Sequence, residues 1–173
     1  MIKTILLAAG QSKRLKSENK LIKLYKKKPL INYSLKTLHK SKVDKVVIVL
    51  GHQKNELKKI IKKNKKNIFI FNKDYRKGMA SSIKAGLKKI SKSDKGFIIV
   101  QSDMPFIKLS ELNKMYNSIK SQKFLVYALR YKNRVGNPIG FDISVVKKFK
   151  RIKGDVGAKF MVKRLKNETK FIK

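Results

Sequence analysis

The chain has 173 residues, of which 46 are Lys or Arg and 10 are Asp or Glu, so its formal net charge is +36. A hydrophobic fraction of 42% suits one globular domain and excludes a wholly disordered chain. There is no Cys and there are two His, which excludes disulfides, thiolate metal sites and Cys nucleophiles and argues against a multi-histidine metal centre.

Apolar runs of strand length alternate along the chain with segments of helical periodicity. In chain order, strands are predicted over residues 2–7, 46–50, 68–71, 97–100 and 124–129, with a shorter one over 136–141. Helices are predicted around 31–38, 57–61, 83–90 and 112–119, and a last one over 158–165. Strands rich in Ile and Val without polar alternation are typical of a sheet covered on both faces. We therefore predict an α/β fold, a doubly wound and mostly parallel Rossmann-like sheet with helices on both faces.

Membrane and secretion signals are missing from this pattern. No apolar run approaches the length of a transmembrane helix, and the first apolar segment is too short for a signal peptide. We expect no membrane contact and a cytoplasmic location.

The charge does not by itself indicate nucleic acid as a partner. The basic residues are 40 Lys and 6 Arg, spread from Lys3 to Lys173, whereas Arg is the residue favoured for recognising phosphates and bases. Lys, Ile and Asn share A/T-rich codons, so compositional drift is the preferred interpretation. A basic nucleic-acid-binding module stays the alternative from another functional class, and the absence of Trp and of an aromatic stacking array argues against it.

Ligands of such sheets bind beyond the carboxyl ends of the strands, so the loops there are the ones that matter. The first runs Leu-Ala-Ala-Gly-Gln-Ser-Lys-Arg from residue 7 to 14. Its small residues allow backbone N–H groups to approach an anion, and Lys13 and Arg14 add positive charge. It is neither a Walker A loop nor a dinucleotide fingerprint, and a common turn would have the same pattern. Lys20 is a candidate second phosphate anchor.

Two further loops carry polar side chains. Gln-Ser-Asp-Met-Pro at 101–105 puts Asp103 at the end of a hydrophobic strand, where a carboxylate is well placed to hold Mg²⁺. The loop before the third helix contains Gly78, Ser81 and Ser82 at the predicted helix start. These hydroxyls could bind a ribose or a base edge, and they fit equally well as helix N-caps.

Together the three loops resemble the MobA-like nucleotidyltransferases and, within them, the molybdenum cofactor cytidylyltransferase branch. The matching stretches are LLAAGQSKRLKSENKL, VVIVLGH, NKDYRKGMASSIKAGL, QSDMP, GNPIGF and GDVGA. They extend from residue 2 to about residue 160, so the resemblance covers most of the chain.

The resemblance implies a role for each matching residue. It assigns nucleotide binding to Ala8, Ala9, Gly10, Ser12, Arg14, Lys20, Gly78, Ser81 and Ser82. It assigns catalysis to Arg14, Lys20 and Asp103, with Asp103 as the Mg²⁺ ligand. It assigns contact with the acceptor to Gly136, Asn137, Pro138 and Asp155.

The implied reaction transfers CMP from CTP to the terminal phosphate of molybdopterin, with release of pyrophosphate. The alternatives are transfer to another phosphorylated acceptor (a sugar phosphate, phosphocholine or cobinamide phosphate) and a weakly catalytic nucleotide-binding homologue. Two departures from the family are visible. Arg14-Leu15-Lys16 stands where the family has Arg-Met-Gly. The family's C-terminal strand and the Asp-Ile-Asp-Thr-Pro segment, which supplies a second acidic metal ligand, have no counterpart. We therefore expect one domain over 1–173 that lacks this strand and that binds CTP but turns over poorly. The alternative is that Asp155 or an acceptor phosphate oxygen completes the coordination of the metal.

Overall fold

The structure is a computed structural model that describes residues 1–12, 19–132 and 134–172. The strands of this part are β1 (Ile2–Ala8), β2 (Leu24–Tyr25), β3 (Lys28–Pro29), β4 (Lys45–Leu50), β5 (Asn67–Phe71), β6 (Gly96–Gln101), β7 (Val126–Tyr131), β8 (Arg134–Asp142) and β9 (Thr169–Ile172). The helices are α1 (Leu30–Lys40), α2 (Lys54–Ile60), α3 (Met79–Leu87), α4 (Leu109–Lys120), α5 (Val146–Phe149) and α6 (Lys159–Arg164). None of the helices described is both long and apolar enough to cross a bilayer.

Within the described residues, seven strands form one sheet in the order β5-β4-β1-β6-β8-β7-β9. β1 pairs in parallel with β4 and with β6, and β4 pairs in parallel with β5. β8 runs antiparallel to both β6 and β7, and β9 is parallel to β7. The predicted fold class is confirmed. Four neighbouring parallel strands deliver their carboxyl ends to the same edge of the sheet, which is where ligands bind in such folds.

The sheet has a hydrophobic core on each face. Along β4, Ile48 belongs to the core packed under α1, α2 and α4, whereas Val47 and Val49 belong to the core packed under α3, α5 and α6. Successive strand side chains point to opposite faces, so a strand covered on both sides is mostly apolar at successive positions. This explains the continuous apolar runs at residues 46–50 of β4 and 97–100 of β6.

Two parts of the fold depart from the prediction. Leu24–Tyr25 and Lys28–Pro29 form a short antiparallel hairpin, for which the hydrophobic pattern gives no signal. Thr169–Ile172 is a strand that the hydrophobic pattern does not predict, and it pairs with β7 over four residues. Thr169 and Ile172 are buried, while Lys170 between them is exposed. A segment this short, with both apolar and charged residues, can be recognised as a strand only when its partner strand is known.

Candidate active site

A cavity of about 320 Å³ opens at the carboxyl edge of the sheet, and its volume lies within the usual range for small-molecule sites. The loops after β1, β5 and β6 and the loop before α6 contribute its walls. The lining residues are Leu7, Ala9, Gly10, Gln11, Ser12, Lys20, Leu21, Tyr75, Arg76, Gly78, Met79, Ser82, Gln101, Ser102, Asp103 and Asp155.

The loop after β1 presents backbone to this cavity. A Cβ built on Gly10 would meet no atom of the described residues within 4 Å, so the space beside this residue is open to a ligand on their side. Ala9 is buried, and its methyl group lies against Gly51, where an added Cβ would come within 2.8 Å of it. Ser12 Oγ accepts a hydrogen bond of 3.2 Å from the Lys20 backbone N–H and so joins the two ends of this loop. Arg14 lies outside the described residues.

Lys20 and Asp103 meet at the cavity although they come from different loops. Lys20 Nζ donates to Asp103 Oδ2 at 2.5 Å, and the two side chains are 43% and 33% exposed. The loop that carries Asp103 is fixed at its start, where Ser102 Oγ donates to the Leu7 carbonyl at 2.6 Å. Since both charged groups remain partly in water, their pairing is open to exchange with an incoming ligand.

The start of α3 forms the opposite wall. Gly78 has φ +94°, and a Cβ there would lie 2.4 Å from the Gly154 backbone, so only glycine fits this approach. The loop around Gly154 and Asp155 accepts hydrogen bonds from the first N–H groups of the helix. Met79 N–H donates to Asp155 Oδ1 at 3.2 Å, and Ala80 N–H donates to the Gly154 carbonyl at 3.0 Å. Asp155 therefore caps α3 and faces the cavity at the same time.

Two serines near the start of α3 have different surroundings. Ser82 lines the cavity and accepts from Asn72 Nδ2 at 3.1 Å. Ser81 also accepts from Asn72 Nδ2, at 2.9 Å, and its hydroxyl lies 2.8 Å from both the Asp74 and the Gly78 carbonyls. The Ser81 side chain is thus engaged in holding the loop, and it is not among the cavity-lining residues of the described chain.

Tyr75 and Arg76 line the cavity but were not singled out from the sequence. They lie on a 3-10 helix, Tyr75–Lys77, which is closed by the Lys77–Asp74 ion pair at 2.8 Å. A hydrogen bond and the positive charge of Lys77 hold the pKa of Asp74 below its usual range. The sequence feature that could have drawn attention to Arg76 is its residue type, because it is one of six Arg in a chain whose basic residues are mostly Lys.

The predicted acceptor residues other than Asp155 lie on a neighbouring strand. Gly136, Asn137 and Pro138 belong to β8, which pairs with β6 up to Ile139 opposite Ile99. One further step along this antiparallel register reaches Pro138 at the carboxyl edge of the sheet. These three residues lie beside the cavity's edge of the sheet and outside its lining in the described part of the chain.

The structure therefore brings together most of the predicted site. Ala9, Gly10, Ser12, Lys20, Gly78, Ser82, Asp103 and Asp155 line one cavity. Ala8 is fully buried at the end of β1 and does not line the cavity.

The carboxylates that line the cavity are compatible with a metal ion that is coordinated mainly by phosphate oxygens of the bound substrate. No group of three or more His, Cys, Asp or Glu side chains that could hold a metal occurs among residues 1–12, 19–132 and 134–172. Mg²⁺ is commonly bound through one or two carboxylates together with substrate phosphates and water. Asp103 already binds the Lys20 ammonium, so its oxygen faces a position that accepts a cation. Asp103 therefore fits such an ion, and Asp155 lines the same cavity.

Comparison with known proteins identifies a protein family that this chain matches. A family model described as MobA-like NTP transferase domain matches residues 4–169. The bifunctional protein GlmU of Caldicellulosiruptor saccharolyticus is 28% identical over 120 residues, which are 68% of this chain and 26% of that protein. The 2-C-methyl-D-erythritol 4-phosphate cytidylyltransferase of Lachnoclostridium phytofermentans is 31% identical over 141 residues, which are 78% of this chain and 58% of that protein. The matched part of this chain spans between about a quarter and a third of the length of its GlmU relatives.

The same fold occurs in solved structures. Rv0371c from Mycobacterium tuberculosis H37Rv matches with a TM-score of 0.86 at 20% identity, over 99% of this chain and 86% of that one. A complex of Rv0371c with manganese matches with a TM-score of 0.81 at 17% identity and the same coverage. Identities this low show a shared fold.

Proposed function

The chain belongs to the MobA-like NTP transferase family, and we propose that it transfers CMP from CTP to the terminal phosphate of molybdopterin. In this reaction an acceptor phosphate oxygen attacks the α-phosphorus of the nucleotide. A new P–O bond forms, the bond from the α-phosphorus to the bridging oxygen breaks, and pyrophosphate leaves with that electron pair. Such a transfer requires in-line positioning and neutralisation of negative charge more than a covalent nucleophile.

The observation that carries the proposal is the meeting of Lys20 and Asp103 in a cavity walled by the loop after β1. An ammonium group next to a carboxylate suits a ligand made of a phosphate and a metal ion, because the ammonium can bind the phosphate oxygens and the carboxylate can bind the metal. Lys20 would bind the triphosphate, and open space at Gly10 would admit its oxygens to the backbone N–H groups of the loop. Asp103 would hold Mg²⁺ against the phosphates, and when bound this ion would neutralise charge on them. A solved manganese complex with this fold supports a divalent cation.

CTP is the proposed nucleotide for two reasons. The resemblance associates Ala-Ala-Gly, here ending at Ala9 and Gly10, with cytidylyl transfer. A relative that is 31% identical carries the name cytidylyltransferase.

The name of that relative also favours a second candidate acceptor. According to its name, that relative acts on a phosphorylated polyol, 2-C-methyl-D-erythritol 4-phosphate. A polyol or sugar phosphate offers the same attacking phosphate oxygen as molybdopterin, and phosphocholine or cobinamide phosphate would offer it too. A chain that binds the nucleotide but turns over weakly would carry the same cavity.

The proposal is tested by nucleotide binding followed by turnover. A thermal-shift panel compares CTP, GTP, ATP and UTP with and without Mg²⁺, because a ligand of the native state raises stability with its occupancy. Pyrophosphate release is then measured with molybdopterin and with each alternative phosphate acceptor.

Asp103→Asn provides the variant that should lose metal-dependent turnover, and Glu56→Gln, at an exposed position on α2, provides the charge-matched control. CTP stabilisation with molybdopterin-dependent pyrophosphate release would support the proposal. Release that depends on a polyol phosphate instead would replace the acceptor. The absence of stabilisation by any nucleotide would overturn the proposed function.

A further inference from the structure

Ser34 is a buried polar residue on the apolar face of α1. Its exposure is 0%, and it lies among Ile31, Leu35 and Leu38, which are part of the hydrophobic core. A buried hydroxyl is unfavourable unless it makes hydrogen bonds. The partners of Ser34 therefore indicate why the residue is compatible with this position.

Those partners are the carbonyls on either side of Asp103. Ser34 Oγ lies 3.0 Å from the Ser102 carbonyl oxygen and 3.0 Å from the Met104 carbonyl oxygen. A hydroxyl has one proton to donate, so the two oxygens share it. The backbone that enters Asp103 and the backbone that leaves it are thus held at one point.

A second hydroxyl on the same helix shows the ordinary alternative. Thr37 Oγ1 donates to the carbonyl of Tyr33, four residues earlier in its own helix, at 3.3 Å. This is the usual bond for Ser and Thr within helices. Ser34 reaches instead to a loop about 70 residues further along the chain. The hydrogen bonds of Ser34 therefore hold that loop in position against α1.

We propose that Ser34 is a positioning residue for the metal site, acting through the backbone on both sides of Asp103. The inference rests on the proposed function, since it takes Asp103 as the carboxylate that holds the divalent ion. A metal ligand binds well only when its oxygen is held at the right place before the ion arrives, and loss of a group that orients a ligand lowers metal affinity by roughly 10–100-fold. Ser34 supplies this constraint from the core, where side chains are closely packed.

The prediction that separates positioning from general stability concerns metal coupling. Metal coupling is the ratio of the nucleotide dissociation constant in EDTA to that in Mn²⁺. In Ser34→Ala this ratio should fall by roughly 10-fold or more, while the dissociation constant in EDTA stays near the wild-type value. A loosened cavity would instead weaken binding under both conditions.

The experiment measures CTP binding by calorimetry, with and without Mn²⁺, on the full chain. Thr37→Ala is the matched control, because it removes a hydroxyl from the same helix without touching the loop. Ser34→Thr keeps the hydroxyl and should retain the coupling. If Ser34→Ala does not fold, Ser34→Cys, which has a similar volume and a weak donor, replaces it.

The outcomes distinguish this inference from the proposed function. If Asp103→Asn abolishes the coupling and Ser34→Ala keeps it, the inference on Ser34 is overturned and the proposed function stands. If the wild-type protein has no coupling, or if Asp103→Asn retains it, both are overturned. Reduced coupling in Ser34→Ala with wild-type coupling in Thr37→Ala supports the inference.

Discussion

Lys20 Nζ lies 2.5 Å from Asp103 Oδ2, although 83 residues separate the two in the chain. The ammonium binds the oxygen that would receive a metal ion, so the lysine and the ion compete for it. Phosphate oxygens of a nucleotide would attract the ammonium and leave the carboxylate to the metal. This geometry favours joint binding of nucleotide and metal over binding of the metal alone.

Lys20→Met removes the charge and keeps an unbranched side chain of similar length. Without the competing ammonium, Mn²⁺ alone should bind more tightly, which the paramagnetic resonance signal of free Mn²⁺ would detect. Nucleotide binding should weaken by about 1.5–3 kcal/mol, the range for hydrogen bonds to charged groups. Lys63→Met, at an exposed position, serves as the control. A parallel loss of Mn²⁺ and nucleotide affinity in Lys20→Met would contradict this competition.

Gly10→Ala tests whether the open space beside the first loop belongs to the ligand. The added methyl group would meet no atom within 4 Å in the part of the chain that the structure describes, so the free energy of unfolding should stay within about 0.5 kcal/mol of wild type or rise slightly. Nucleotide binding should be strongly weakened, because the methyl group would occupy the path to the backbone N–H groups. Urea unfolding and the thermal-shift panel measure the two effects.

Gly78→Ala is the contrasting variant for Gly10→Ala. Its φ of +94° and the 2.4 Å approach to Gly154 should make it lose stability by about 1–3 kcal/mol. Nucleotide binding by Gly10→Ala that matches the wild type would show that the space is not used.

Asp155 has a structural role at α3 and a predicted role towards the acceptor, and two variants separate them. Asp155→Asn keeps an oxygen that can accept from the Met79 N–H, whereas Asp155→Ala removes it. Asp155→Ala should lose about 1 kcal/mol of stability, the typical contribution of a helix cap, and Asp155→Asn should lose less. If the carboxylate serves the acceptor or the metal, both variants should raise the KM for the acceptor or the Mg²⁺ requirement. Wild-type kinetics in Asp155→Asn would leave capping as the role of this residue.

Ala9→Gly addresses the choice of base. The resemblance associates Ala at this position with cytidylyl transfer and Gly with guanylyl transfer, and the methyl group lies against Gly51 beside the cavity. Removing the methyl group should enlarge this corner of the site and shift the preference towards GTP. Thermal shifts with CTP and GTP, measured on both proteins, provide the comparison. A wild-type protein that already prefers GTP would contradict the assignment.

The parts of the fold that could be predicted from the sequence are those whose pattern is local. Residues 46–50 are apolar at every position because both faces of β4 are covered, and this is visible without a partner strand. The hairpin of β2 and β3 and the strand β9 gave no such pattern. Each has four or fewer paired positions, and Lys28 and Lys170 within them face solvent. Their existence depends on pairing, which a local pattern does not contain.

The candidate site divides in the same way. Gly10 and Asp103 were predicted because small residues and a carboxylate follow strand ends, whereas the role of Lys20 was implied by the family resemblance. Arg76 was missed because rarity marks all six Arg alike, and only the structure shows that this one lines the cavity. Ser81 was predicted as a nucleotide ligand or a helix N-cap, and its hydroxyl contacts the carbonyls of its own loop.

The sequence by itself determined the fold class and the strands at the centre of the sheet, because these depend on apolar patterns along the chain, and its motifs indicated the family through their resemblance to it. Tertiary structure decided which loops meet. Hydrogen bonds join Lys20 to Asp103 across 83 residues of sequence, Met79 to Asp155 across 76, and Ser34 to Met104 across 70. A hydrogen bond requires two atoms within about 3 Å of each other. Only the packing of helices on the sheet fixes such distances between groups so far apart in the chain.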